Sequence, residues 1–282
     1  MANSEASIDP LTRADLSDAQ ALVAEAGWNQ VGADWRTFLE FGRAYAVRET
    51  RVIATAAWIP YGACAWISMV LVARTHRRRG LATRLLHRCI ADVTAAGLVP
   101  VLDATPAGAK VYAPLGFREA WGFTRLMSER RTKTPPVASI TIEPISDPMW
   151  PALCAYDAAA FGNDRSAVLA SLRGRLPPAD LVARRDGQIV GMLLGRDGRT
   201  ASHLGPLIAE DDEVAKALLA HALSEISGTV YIDVADAKTG VRSWVEAAGF
   251  SVQRPFTRML LGRDSSFDDM ARTYAVIGPE FG

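Results

Sequence analysis

From Ala65 to Val72 the chain is apolar at almost every position, with β-branched Ile67, Val70 and Val72 and aromatic Trp66. Such a run predicts a buried strand. The polar residues from Arg74 to Arg79 end it. From Gly80 onward the apolar positions fall at Leu81, Leu85, Leu86, Cys89, Ile90 and Val93, the single stripe of an amphipathic helix. A strand therefore passes through an arginine-rich turn straight into a helix. The first turn of that helix offers unpaired N–H groups and the positive end of its dipole to an anion. Gly80 and Ala82 carry so little side chain that a phosphate has room to approach the backbone.

The same patterns order the remaining chain. A short strand at 8–11 precedes a helix bearing Leu16, Ala19, Leu22 and Val23 and closed by Gly27, then a second helix from Asp34. Strands are predicted at 44–49 and 52–59 ahead of the central strand. After the Gly80 helix come a strand at 99–104, a helix at 107–115, and two strands, 117–121 and 123–127, about Gly122. Residues 130–139 are charged, then proline-paired, without apolar period, and read as a linker. Beyond it the pattern recurs: a strand at 140–143, helices at 150–161 and 166–176, strands at 181–185, 188–195 and 202–208, a helix at 214–226, a strand at 230–234 and a helix at 240–248. The expected class is α/β, each half built on a mixed sheet, with the second half an internal duplication of the first.

The residues also carry a resemblance. Arg77-x-x-Gly80-x-Ala82, preceded by Val70-Leu71-Val72, resembles the acetyl-CoA pyrophosphate loop of the GNAT superfamily of N-acetyltransferases. Tyr112, four residues before Gly116-Phe117, resembles the tyrosine helix with which GNAT chains commonly end. The two halves together look like a tandem GNAT-like protein: a catalytic domain at 1–130, the linker at 131–139, a degenerate domain at 140–262 and a tail at 263–282. The resemblance implies acetyl-CoA as cofactor. Backbone groups near Val70 and Val72 would pair with the pantetheine arm, and Arg77, Arg78, Arg79, Gly80, Ala82 and Thr83 would hold the pyrophosphate. Thr105 stands where many members have an asparagine that contacts the cofactor. Tyr112 is the implied general acid. Asp103 is the candidate general base, with Glu25, Glu40, His76 or a water chain as alternatives and a purely structural carboxylate as the competing reading. Trp28, Trp35 and Tyr61 are candidates for the acceptor pocket, against the reading of an aromatic core.

The second half lacks this chemistry. Ala209-Glu-Asp-Asp-Glu-Val214 stands where the first half has its arginines, and Val245 where it has Tyr112. Carboxylates suit a helix start but repel a pyrophosphate, so one cofactor site per chain is expected. The expected reaction is direct acetyl transfer to a small primary amine. A sensor or scaffold that binds acyl-CoA without turnover, or a peptide or protein lysine acetyltransferase, stays open.

Composition adds limits. The 282 residues are 49% hydrophobic and 22% charged, with no net charge, as in a globular protein with sizeable cores. Up to Ser139 there are 17 lysines and arginines against 12 acidic residues, and from Ile140 on 14 against 19. The basic half holds the arginine turn, and the acidic half favours a cationic amine as acceptor. No basic block suggests nucleic acid. No run of about 18 apolar residues suggests a membrane span, so a cytoplasmic protein is expected. Three separated cysteines and four distant histidines give neither a disulfide framework nor a metal site. The sequence leaves the oligomeric state open.

Overall fold

The computed structural model describes residues 7–129 and 140–282. Its contacts divide the chain into two compact units, Met1–Leu102 and Asp103–Gly282. The linker read at 131–139 lies outside the described residues.

The first unit opens with strand β1 (Ile8–Pro10) and helices α1 (Leu16–Ala26) and α2 (Gly32–Phe41). An antiparallel meander follows: β2 (Arg43–Arg48), β3 (Val52–Tyr61) and β4 (Cys64–Val72). Helix α3 (Leu81–Ala95) then leads to β5 (Val99–Ala104), which lies parallel to β4. The strand order is β1-β2-β3-β4-β5. β3 is buried at every position except Pro60, so its near-continuous apolar sequence reflects cover on both faces. α3 buries Leu81, Leu85, Leu86, Cys89 and Val93, the stripe its spacing predicts.

The second unit begins with the last part of β5 and runs through α4 (Pro106–Tyr112) and β6 (Phe117–Ser128). Its later elements are β7 (Thr141–Pro144), α5 (Trp150–Phe161), α6 (Ser166–Leu172), β8 (Leu181–Arg185), β9 (Gln188–Arg196) and β10 (Ser202–Ala209). They continue with α7 (Asp212–Glu225), β11 (Val230–Ala235), α8 (Thr239–Ala247), β12 (Ser251–Leu261) and β13 (Thr273–Ala275). The strand order is β12-β6-β11-β13-β10-β9-β8-β7.

Three elements differ from the sequence reading. β6 is one strand, not two. Gly122 does not break it: a Cβ there would run into the Asp236 carboxylate, whose backbone N–H donates to the Gly122 carbonyl at 2.9 Å. α6 stops at Leu172, before the 3-10 turn Pro177–Ala179. β13 is a strand within what reads as a tail. The placement of β6 also sets the contact boundary. Although it precedes the linker, it pairs antiparallel with β11 from Val230↔Ser128 to Ala235↔Phe123, and with β12 from Ser251↔Met127 to Leu261↔Phe117.

Candidate active site

In the first unit β4 departs from a regular strand at its centre. The β3 register slips between Thr55 and Ala57, leaving an extra residue on the β4 side. Met69 takes up that residue with a left-handed φ of 54°, and its carbonyl accepts from Thr55 Oγ1 at 2.9 Å. Pairing with β5 ends at Trp66↔Val101. Beyond that point β4 carries backbone groups that β5 does not use, beside the partly exposed Val70 and Val72. Unused N–H and C=O groups are strong hydrogen-bonding partners for an extended ligand.

The arginine turn is braced from within. The Arg74 N–H donates to Glu25 Oε1, and Arg74 Nη2 donates to the Glu25 carbonyl at 2.9 Å. Glu25, a candidate base on sequence, thus anchors this loop. His76 lies 3.3 Å from Glu49, and Glu40 is exposed on α2. Arg77 Nε donates to the Val72 carbonyl at 3.3 Å and Arg79 Nη2 to that of Thr75 at 3.2 Å. Arg78 has φ 63° and Gly80 φ 76°. Two left-handed residues so close together bend the chain sharply enough for α3 to begin at once, with the Arg84 N–H donating to the Gly80 carbonyl at 3.0 Å. The arginine side chains 77–79 are exposed, and α3 has no acidic residue in its first turn. A Cβ built on Gly80 would meet nothing within 4 Å. Open space at a helix start, directly preceded by three exposed arginines, fits a phosphate.

The aromatic candidates divide. Trp35 (0% exposed) and Tyr61 (1%) lie in the core. Trp35 packs edge-on against Phe38, and Tyr61 against Trp66. Trp28 keeps part of its surface, its N–H donating to the Val23 carbonyl at 3.0 Å just past the α1 cap at Gly27.

In the second unit Thr105 caps α4, its Oγ1 accepting from the Gly108 N–H at 3.2 Å. Thr105, a cofactor candidate on sequence, therefore has a capping role of its own. Tyr112 ends that helix half-buried, its ring 6.2 Å from that of Phe117. Burial pushes its phenol above the ordinary value, so it stays protonated at neutral pH. The Asp103 carboxylate is fully buried and held by two parallel bonds from Arg258, Nε–Oδ1 at 2.9 Å and Nη2–Oδ2 at 3.0 Å. Arg258 also donates to Asp268 at 2.7 Å and lies over the Trp121 ring at 4.4 Å. Burial pushes Asp103 up to about 6, against the pull of Arg258. Both carboxylate oxygens of Asp103 are thus engaged by Arg258.

Sequence reasoning gives no sign of Met69 at this site, nor of Glu25 as the brace of the arginine turn. Arg78 is legible as a charge next to Arg79-Gly80, but not as a left-handed residue.

Family profiles match both halves: that of the acetyltransferase (GNAT) family over residues 14–117, and that of an acetyltransferase (GNAT) domain over 153–275. The chain is a tandem GNAT acetyltransferase. Membership makes it an acyltransferase, and GNAT enzymes generally draw their acyl group from acetyl-CoA. This tandem GNAT chain is 24% identical over 238 residues to the uncharacterized N-acetyltransferase YitH of Bacillus subtilis (strain 168), covering 83% of this chain and 84% of that one. Among solved structures it resembles a candidate acetyltransferase of Pyrococcus horikoshii with TM-score 0.82 at 19% identity, over 100% of this chain and 98% of the other. It also resembles a tandem GNAT protein of the clavulanic acid biosynthesis pathway, with TM-score 0.62 at 15% identity over 91% and 98%. Among the described residues no helix is long and apolar enough to cross a membrane, and no group of histidine, cysteine or acidic residues is set to hold a metal.

Proposed function

We propose that this chain transfers an acetyl group from acetyl-CoA directly to a small primary amine, and that the cofactor binds in the first domain alone. The observation that carries the reading is the contrast between two helix starts. α3 begins at an exposed arginine turn with open space over Gly80, whereas α7 begins at Asp211, which caps it through Val214, followed by Asp212 and Glu213. A pyrophosphate is attracted to the first and repelled by the second.

In this scheme the N–H groups at residues 78–83 hold the pyrophosphate, and the bulged edge of β4 at Val70 and Val72 pairs with the pantetheine amides. Acetyl-CoA, when bound, supplies a thioester-activated acyl group. A neutral amine attacks it and gives up a proton to water as the C–N bond forms and the C–S bond breaks, and the sulfur that leaves needs a proton. Tyr112 supplies that proton, since a buried phenol remains protonated at the pH where the amine is partly neutral. Asp103, paired with Arg258, is not assigned as the base. Trp28 is retained as an acceptor-side residue, and a cationic acceptor suits the excess of acidic residues beyond Ile140. We further propose that the chain acts in the cytoplasm.

Calorimetry with coenzyme A should give one site per chain. Gly80→Glu should abolish that binding, because it sets a carboxylate in the open space over the helix start and also strains a left-handed position. Tyr112→Phe should lower turnover by about 10²–10⁴-fold with little change in cofactor affinity, read by thiol release over a panel of amines. A large affinity loss would instead make Tyr112 a binding residue. Cofactor binding without thiol release on any amine, lysine peptides included, would point to a sensor.

A further inference from the structure

In the first unit β4 and β5 pair in parallel over only three rungs, Cys64↔Val99, Ala65↔Pro100 and Trp66↔Val101, and then part. In the second unit β10 and β11 repeat this with Ser202↔Val230, His203↔Tyr231 and Leu204↔Ile232. Each parting leaves a wedge flanked by two strands with unused backbone groups. In the second unit the chain fills the wedge with itself. β13 pairs antiparallel with β10 through Leu207↔Ala275 and Ile208↔Thr273, and with β11 through Val234↔Ala275. The Ala209 N–H donates to the Arg272 carbonyl at 3.0 Å, and the Val276 N–H to that of Asp233 at 3.2 Å.

The fit is close. A Cβ on Gly205 of β10 would fall on the Val276 carbonyl. Tyr274, Ala275, Val276, Ile277 and Phe281 are all buried. Residues 277–282 close on themselves through Ile277 N–H to the Gly282 carbonyl at 3.1 Å. Two buried arginines read the polar groups that remain. Arg196 is ion-paired with Glu280 and lies 5.5 Å from the Phe281 ring centre. Arg165, held by Asp157 through two bonds of 2.8 Å, donates Nη1 to the Gly282 carbonyl at 2.6 Å.

We propose that the wedge between β10 and β11 is a peptide-binding cleft whose ligand is residues 273–282 of the same chain, bound as an added strand where the first domain would take a pantetheine arm, so that the second domain is closed to acyl-CoA. Strand addition supplies main-chain hydrogen bonds, while side-chain pockets select the peptide. Here the selected features are an apolar Val276-Ile277 pair, an acidic side chain at Glu280 and an aromatic ring at Phe281. The comparison with the first domain rests on the cofactor placement proposed above; the occupancy of the wedge does not.

The test uses the full chain with a protease site inserted between the exposed residues Asp264 and Ser265. After cutting under native conditions, the fragment carrying 273–282 should remain bound through gel filtration and leave only on unfolding. In the intact chain, amides 275–277 should exchange as slowly as those of β10 and β11. Glu280→Gln should speed release of the cut fragment by about 100-fold or more, as expected when a buried arginine loses its ionic partner. Coenzyme A stoichiometry should be the same before and after the cut. Release of the fragment from a protein that stays folded, or a second equivalent of coenzyme A bound at the expense of that protection, would overturn the proposal. No coenzyme A binding at all, with protection intact, would count against the first-domain site and leave the cleft standing.

Discussion

Asp103 shows how a carboxylate that the sequence leaves between base and structural anion acquires a context from a distant partner. It sits on the strand where a base would be useful, but its fate is set by Arg258, far along the chain. A buried guanidinium clamped by Asp103 and Asp268 loses its compensation when one anion goes, and breaking such a pair costs about 3–5 kcal/mol. Asp103→Asn should therefore lower the unfolding midpoint strongly, and Arg258→Met should do likewise. In a double-mutant cycle the two losses should fall well short of additive. If Asp103 were the general base, the substitution would cut turnover and leave the denaturation midpoint in place; that result would reverse the assignment.

At the scale of elements, the strands with continuous apolar runs and the single-stripe helix α3 are legible in the sequence, because each buries its own periodic surface. β13 is not. Its three residues owe their burial to β10 and β11, and no local period marks them. Gly122 signals a break in β6 when taken alone, whereas the glycine is there to admit the Asp236 carboxylate. The arginine turn is legible as chemistry, but the left-handed backbone at Met69 and Arg78 is not, since neither residue type advertises it. The buried charges that join β10 to its neighbours are equally hidden. His203 lies 3.3 Å from Asp233 and 3.3 Å from Arg196, while Asp233 takes two 2.7 Å bonds from Arg125 and Arg196 pairs with Glu280.

Burial pulls His203 below its ordinary value of 6.5. Asp233, although burial alone would raise it, is held below the ordinary carboxylate range by Arg125 and His203. In both cases the unfolded chain binds more protons than the folded one once the pH drops below the ordinary value. Stability should thus fall as pH drops through about 6.5 and fall further below about 4. His203→Gln should flatten the first limb, as followed by urea midpoints between pH 4 and 8. A midpoint that rises on acidification from 7 to 5 would contradict the placement of a neutral His203.

For the whole molecule, the sequence repeat and the compact units are cut at different places. The family profiles end and begin on either side of the linker, yet β6 belongs by its pairing to the second unit. A fragment limited to residues 1–130, the first half as the repeat divides the chain, should therefore be poorly soluble or oligomeric, because β6 would expose two unpaired edges. Light scattering would check this, and a monomeric, cooperatively melting 1–130 fragment would refute it.

That pairing also bears on how the chain comes to be folded while it is being made. β6 leaves the ribosome well before its partner β11 exists, and at about 5–20 residues per second the wait is of the order of ten seconds. Through that interval a strand carrying Phe117, Phe123 and Leu126 has nothing from β11 or β12 to pair with. Slowing translation across the linker, which prolongs that exposure, should therefore lower the soluble yield rather than raise it.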